Sequence, residues 1–140
     1  MVTSSILAWN HGELSHELLA DLARDAPHRG RWINGRIVGL LASEASATAE
    51  HFAIGVSALP AGATTPEHSH AAEEIAIIMS GTGVIVIDGE RVVVKTGDVV
   101  LTPPESVHRT EADASSPLTV FWIYSRSDSS LRWLEDDPVE

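Results

Sequence analysis

From residue 31 onward the chain is a series of short apolar runs separated by Gly, Pro, Asn and Asp. Some runs alternate apolar with polar residues. Others are continuous and β-branched, as in Val84-Ile-Val-Ile87 and Arg91-Val-Val-Val-Lys95. Both patterns fit strands packed on one or both faces. They predict strands over 32–41, 50–59, 73–79, 83–88, 91–95, 98–102, 106–112 and 118–125. Asp88-Gly89 lies between two such runs and signals a hairpin, because a tight turn needs positive φ, which Gly accepts freely and Asp tolerates. No helical periodicity separates these strands, which argues against parallel βαβ units. An all-β sandwich or barrel is expected.

The first third differs. Leu14, Leu18, Leu19 and Leu22 recur at helical spacing, and Asp25-Ala-Pro27 with Gly30 ends the pattern. This predicts a short amphipathic helix near 13–24. The other end, from Ser125 to Glu140, is acidic. The organisation expected is a single domain, with an N-terminal extension over 1–45, a barrel core over 46–126 and an acidic tail over 127–140.

Composition narrows the chemistry. The 140 residues include no cysteine, so disulfides, thiolate metal sites and cysteine nucleophiles are excluded. The formal charge of −11 leaves no basic surface for a phosphate backbone, so no nucleic-acid partner is expected. The N-terminus lacks the basic and apolar regions of a signal peptide, and no apolar run approaches the length of a membrane span. A cytoplasmic protein without a membrane partner is expected. The sole lysine, Lys95, falls in a strand-like run and is read as a solvent-facing charge.

Seven histidines are present, and three stand out. In Gly62-Ala-Thr-Thr-Pro-Glu-His68-Ser-His70-Ala-Ala-Glu-Glu74, His68 and His70 are two residues apart and share a strand face. Glu74 keeps the same parity if the extended segment runs on, and Glu73 points away. Two imidazoles and a carboxylate suit a first-row divalent metal. Gly97-Asp-Val-Val-Leu-Thr-Pro103-Pro-Glu-Ser-Val-His108 supplies a third imidazole on a later strand. His11, His16 and His28 lie outside any motif and are read as surface residues.

These residues resemble the cupin superfamily, small jelly-roll β-barrels. The family's first motif, Gly-x5-His-x-His-x3,4-Glu-x6-Gly, is met at Gly62, His68, His70, Glu74 and Gly81. Its second, Gly-x5-Pro-x-Gly-x2-His-x3-Asn, is met at Gly97, Pro103 and His108, with Glu105 in place of the glycine and Ala112 in place of the asparagine. A non-glycine residue at a positive-φ position is disfavoured, so Glu105 puts the turn geometry in question. The resemblance implies that His68, His70, Glu74 and His108 ligate one divalent metal (Fe, Mn, Zn, Ni or Co). It also implies a homodimer.

Three neutral imidazoles and one carboxylate leave a divalent ion with a local charge near +1 and open coordination positions. Such a centre suits a small molecule offering a carbonyl, enol or carboxylate oxygen. Lewis-acid isomerisation, cyclisation, elimination or decarboxylation is the favoured reading. The alternatives are an Fe(II)-dependent dioxygenase and a non-catalytic small-molecule or sugar-binding barrel. A proton-transfer partner is needed for the non-redox chemistry, and the candidates are His51 and Tyr124. Trp122 shares parity with Tyr124 and is expected to line the barrel beside it. Arg36, on an early strand, is a weaker candidate for receiving an anion. Glu67 and Glu105 fall in turns and are expected to be solvated.

Overall fold

The structure is a computed structural model and describes residues 30–33, 35–42 and 50–126. The helix expected near 13–24, with His11, His16 and His28, lies outside the described residues, as does the acidic tail over 127–140. The described residues form nine strands: β1 (Gly30–Ile33), β2 (Arg36–Ala42), β3 (Ala53–Leu59), β4 (Glu74–Ser80), β5 (Thr82–Ile87), β6 (Glu90–Lys95), β7 (Val99–Thr102), β8 (His108–Ala112) and β9 (Leu118–Tyr124). Every strand pairing is antiparallel. A six-stranded sheet has the order β1-β2-β3-β9-β4-β7, and a three-stranded sheet the order β6-β5-β8. The all-β expectation holds, and among the described residues no helix is long and apolar enough to cross a membrane.

Two boundaries differ most from the pattern reading. The single strand expected over 32–41 is two strands, with Ile33 paired to Arg36 and Gly35 at φ 75 between them. The Asn34-Gly35 dipeptide is itself a hairpin signal, and the flanking apolar residues had masked it. The strand expected from 50 begins at Ala53, so His51 precedes it. The Asp88-Gly89 turn forms as expected, with φ of 48 and 84. Asp88 also anchors the chain ahead of β8: its N–H donates to the Val107 carbonyl at 2.8 Å, and its Oδ1 accepts from the Val107 N–H at 2.9 Å.

The two sheets enclose an apolar core. Leu59, Ala76, Ile78, Leu118 and Val120 from the larger sheet meet Ile85, Val94 and Ala112 from the smaller. A second buried cluster of Val38, Ala53, Ala72, Trp122 and Tyr124 sits toward the end where β4 begins. Register explains this placement. Glu74 pairs with both Thr102 and Tyr124, and Tyr124 pairs with Ala53, so these residues form one row across the sheet. Ala76, Trp122 and Gly55 form the adjacent inward-facing row.

Gly55 is required by Trp122. A Cβ there would collide with the indole ring and lie 2.7 Å from the Gly39 carbonyl oxygen. The indole Nε1 donates to Ser57 Oγ at 3.0 Å, so it has no freedom to move aside. Gly55→Ala is therefore expected to destabilise the protein by roughly 1–3 kcal/mol through overpacking. An unchanged denaturant midpoint would contradict this packing.

Candidate metal centre

The segment 63–68 runs beside β8 without forming a full strand. Thr64 bridges Glu111 and His68 bridges His108. The His68 N–H donates to the His108 carbonyl at 3.0 Å, and the His108 N–H returns the bond at 2.8 Å. This reciprocal pair places the two imidazoles side by side, with ring centroids 4.3 Å apart. Outside the barrel, Arg109 binds Glu67 and lies 3.6 Å from Glu111, tying the residues next to His68 and His108 to each other. Glu67 is solvated, as expected, but it is paired.

Glu74 reaches the cluster by a route other than strand parity. Residues 71–72 bend, and β4 starts at Glu74 itself. The bend returns the carboxylate to the imidazoles. Glu74 Oε2 lies 3.1 Å from His70 Nε2 and 3.1 Å from His108 Nε2. The ligand atoms of His68, His70 and His108 all lie within 4.8 Å of one another. His70 and His108 are buried and His68 is half-buried, so His68 marks the solvent side. Glu73 points outward, and its N–H donates to Ser125 Oγ at 2.9 Å.

Each ring is held from behind. His68 Nδ1 donates to the Pro66 carbonyl, His70 Nδ1 to the Ala72 carbonyl and His108 Nδ1 to the Ser106 carbonyl, each at 2.8 Å. A carbonyl only accepts, so each Nδ1 carries the proton and each Nε2 faces the cluster. An Nε2 lone pair against a carboxylate oxygen would repel. The 3.1 Å contacts therefore call for positive charge between them, either protons on the two Nε2 atoms or one cation. A divalent ion brings the same charge as two protons. Neighbouring ligands about 2.1 Å from such an ion stand about 3 Å apart, close to the spacing found. The three histidines could hold a divalent metal, and Glu74 Oε2 stands beside two of them.

The electrostatics agree. Burial pushes the Glu74 carboxyl up, but the hydrogen bonds and charges of His108 and His70 outweigh it and hold it at about 2. Burial pushes His108 down. The hydrogen bond and charge of Glu74, with the Ser106 carbonyl and Asp88, hold it above the ordinary value. His68 is lowered, mainly by burial.

The turn before His108 keeps its geometry despite Glu105. That residue adopts φ 63, and its N–H donates to the His70 carbonyl at 2.8 Å. The bond joins the two histidine segments and holds a backbone that a side chain disfavours.

Of the proton-transfer candidates, the structure brings Tyr124 to the cluster. Its buried ring lies 4.6 Å from the His70 ring and stacks at 4.6 Å on Trp122. His51 is not brought in. It precedes β3, and its side chain is 81% exposed, 3.7 Å from Glu50. Arg36 is buried, but on the register it sits near Leu59, at the opposite end of the sheet from Glu74. Lys95 is exposed and pairs with Asp98 at 3.5 Å. Thr102, beside Glu74 and 2% exposed, went unnoticed in the sequence. Its shared parity with the core residue Val100 is the signal that marks it as inward-facing.

Three outcomes follow from this geometry. Metal affinity requires His108 to be neutral, and its pKa is raised, so affinity is expected to fall as pH drops through a range above 6.5; a pH-independent Co(II) titration from 8 to 6 would contradict this. Glu74→Gln removes the charge that does most to oppose burial at His108, leaving the Ser106 carbonyl and Asp88, so in metal-free protein this ring is expected to titrate lower than in wild type, read from its NMR ring-proton shift. Glu105→Gly relieves the positive-φ strain and is expected to raise stability by about 0.5–1 kcal/mol with metal affinity unchanged. A lower melting temperature would show that the glutamate side chain itself holds the turn.

The Cupin domain family profile matches residues 55–124, which is 70 of the 140 residues. An uncharacterized protein of Methanocaldococcus jannaschii is 33% identical over 78 residues, covering 52% of this chain and 62% of that protein. The match thus spans about three fifths of this curated relative. A cupin protein from Bacteroides fragilis superimposes with a TM-score of 0.54 at 35% identity, over 58% of this chain and 70% of that one. A Thermotoga maritima protein described as a predicted oxalate decarboxylase superimposes with a TM-score of 0.59 at 25% identity, over 65% of this chain and 80% of that one. The match over 55–124 and the antiparallel strands around the histidine cluster establish that the chain belongs to the cupin superfamily and folds as its jelly-roll β-barrel.

Proposed function

We propose that the chain is a metal-dependent enzyme acting on a small carbonyl, enol or carboxylate compound. His68, His70, Glu74 and His108 would hold one divalent ion, and the chemistry would be of Lewis-acid type: isomerisation, cyclisation or elimination. The observation that carries this is the placement of Glu74 Oε2 between two imidazoles whose Nδ1 atoms are already committed to backbone carbonyls. The description of the Thermotoga maritima relative, at 25% identity, supports a small oxygen-rich acid as the kind of substrate.

A divalent ion bound there supplies a Lewis acid for an oxyanion that develops on the substrate. The chain's own residues do the rest. The three backbone carbonyls hold the rings so that only Nε2 is presented. Trp122 and Tyr124 close the barrel on the apolar side, which excludes water and strengthens polar contacts inside. Tyr124 is the residue we assign to proton transfer, because its ring packs on His70.

Protein purified without chelator is expected to carry about one equivalent of a first-row divalent metal per chain. Adding that metal to stripped protein should raise the melting temperature by several degrees, since a ligand that binds only the folded state stabilises it. His70→Ala should lose the metal and keep the fold. No bound metal, together with no thermal shift on adding Fe, Mn, Zn, Ni or Co, would overturn the proposal. Oxygen uptake by the Fe(II)-loaded protein with a small hydroxy acid would replace Lewis-acid chemistry with dioxygenase chemistry.

A further inference from the structure

Thr102 on β7 pairs with Glu74 on β4, and Glu74 pairs on its other side with Tyr124 on β9. Partners in register on neighbouring strands share a face, with Cβ atoms about 5 Å apart. Thr102 and Tyr124 therefore flank the Glu74 carboxylate on the barrel's inner face. Thr102 is 2% exposed. Among the described residues no hydrogen bond reaches its hydroxyl. Of the other buried hydroxyls, Thr65 Oγ1 accepts from the Thr110 N–H at 2.9 Å, while those of Ser106 and Thr119 have no hydrogen bond among the described residues; Thr102 is the one in register with Glu74.

A buried hydroxyl without a partner costs about 1–3 kcal/mol, and valine would fill the same space without that cost. The next inward residue on the same strand, Val100, packs against the apolar core. The strand thus turns from a packing residue to a hydroxyl where it reaches the ligand cluster. Glu74 meets both imidazoles through Oε2, and no hydrogen bond among the described residues reaches its Oε1. One donor and one acceptor therefore stand side by side next to the cluster, and neither has a protein partner. A guest oxygen held at the cluster would satisfy the donor. A divalent ion with one carboxylate ligand favours an anionic guest.

We propose that Thr102 is a specificity-determining residue whose hydroxyl donates a hydrogen bond to an oxygen of a small anionic oxygen chelator held at the His68, His70, Glu74 and His108 cluster. This rests on the metal reading above and adds the residue that selects the guest. Ordinary packing makes a different prediction for the same substitution, so the two are separable.

The test uses Co(II)-loaded full-length protein titrated with glycolate, followed by the visible spectrum, for wild type, Thr102→Val and Thr102→Ser. Thr102→Val is expected to bind Co(II) as wild type does and to bind glycolate about tenfold more weakly, the worth of one hydrogen bond. Thr102→Ser should restore most of that affinity. Metal-free Thr102→Val should melt at the same temperature as wild type or higher, because no hydrogen bond is lost. Unchanged glycolate affinity in Thr102→Val, as expected if the hydroxyl is satisfied by a buried water alone, overturns the proposal. So does a lower melting temperature in that metal-free variant, which would give the hydroxyl a structural role. Failure of wild type to take up Co(II) sinks the metal reading and this proposal with it, whereas unchanged glycolate affinity on a loaded protein sinks this proposal alone.

Discussion

The arrangement at this end of the barrel depends on one carboxylate oxygen. Glu74 Oε2 faces the Nε2 atoms of His70 and His108 at 3.1 Å, and each imidazole has its other nitrogen tied to a carbonyl two residues away. Rotating any of the rings would break a 2.8 Å bond to the backbone. The cluster is thus a set of lone pairs fixed in a buried space, and fixed lone pairs with a carboxylate need a cation. The hydrogen bonds and charges of the two rings hold the Glu74 carboxyl at about 2, and Glu74 in turn holds His108 above its ordinary value. A divalent ion meets the need for a cation.

The surrounding fold serves that constraint. The reciprocal bonds between His68 and His108 fix one pair of rings, and the Glu105 N–H bond to the His70 carbonyl fixes the third relative to them. The Asp88 turn grips Val107, one residue ahead of His108, so the hairpin between β5 and β6 also acts on the cluster. Behind the cluster, Trp122 occupies the space that Gly55 leaves open and stacks on Tyr124. The apolar core between the sheets lies beyond them, so rigidity extends from the core to the ligands through packed side chains.

Much of this was legible in the sequence, and the exceptions have physical causes. Period-two patterning and turn residues located the strands, and the His68, His70, Glu74 and His108 spacing located the cluster. Parity places Glu74 on the cluster's face only along an unbroken strand, whereas residues 71–72 bend and the carboxylate returns through β4. The apolar residues on both sides of Asn34-Gly35 hide the turn in the pattern. His51 was drawn inward by an overlong strand, while the chain before Ala53 leaves its side chain in solvent. Thr102 was overlooked because a lone threonine in a strand has no signature. Its meaning appears only when the register sets it beside Glu74.

The central claim is that three imidazoles, each protonated at Nδ1, present Nε2 to one cation. Long-range proton–nitrogen NMR on the Zn(II)-loaded protein reads this atom by atom. The account predicts that His68, His70 and His108 all carry a proton on Nδ1 and that all three Nε2 resonances shift on adding one equivalent of metal. A proton on Nε2 in the loaded protein at any of these rings, or Nε2 resonances unmoved by metal, would contradict it.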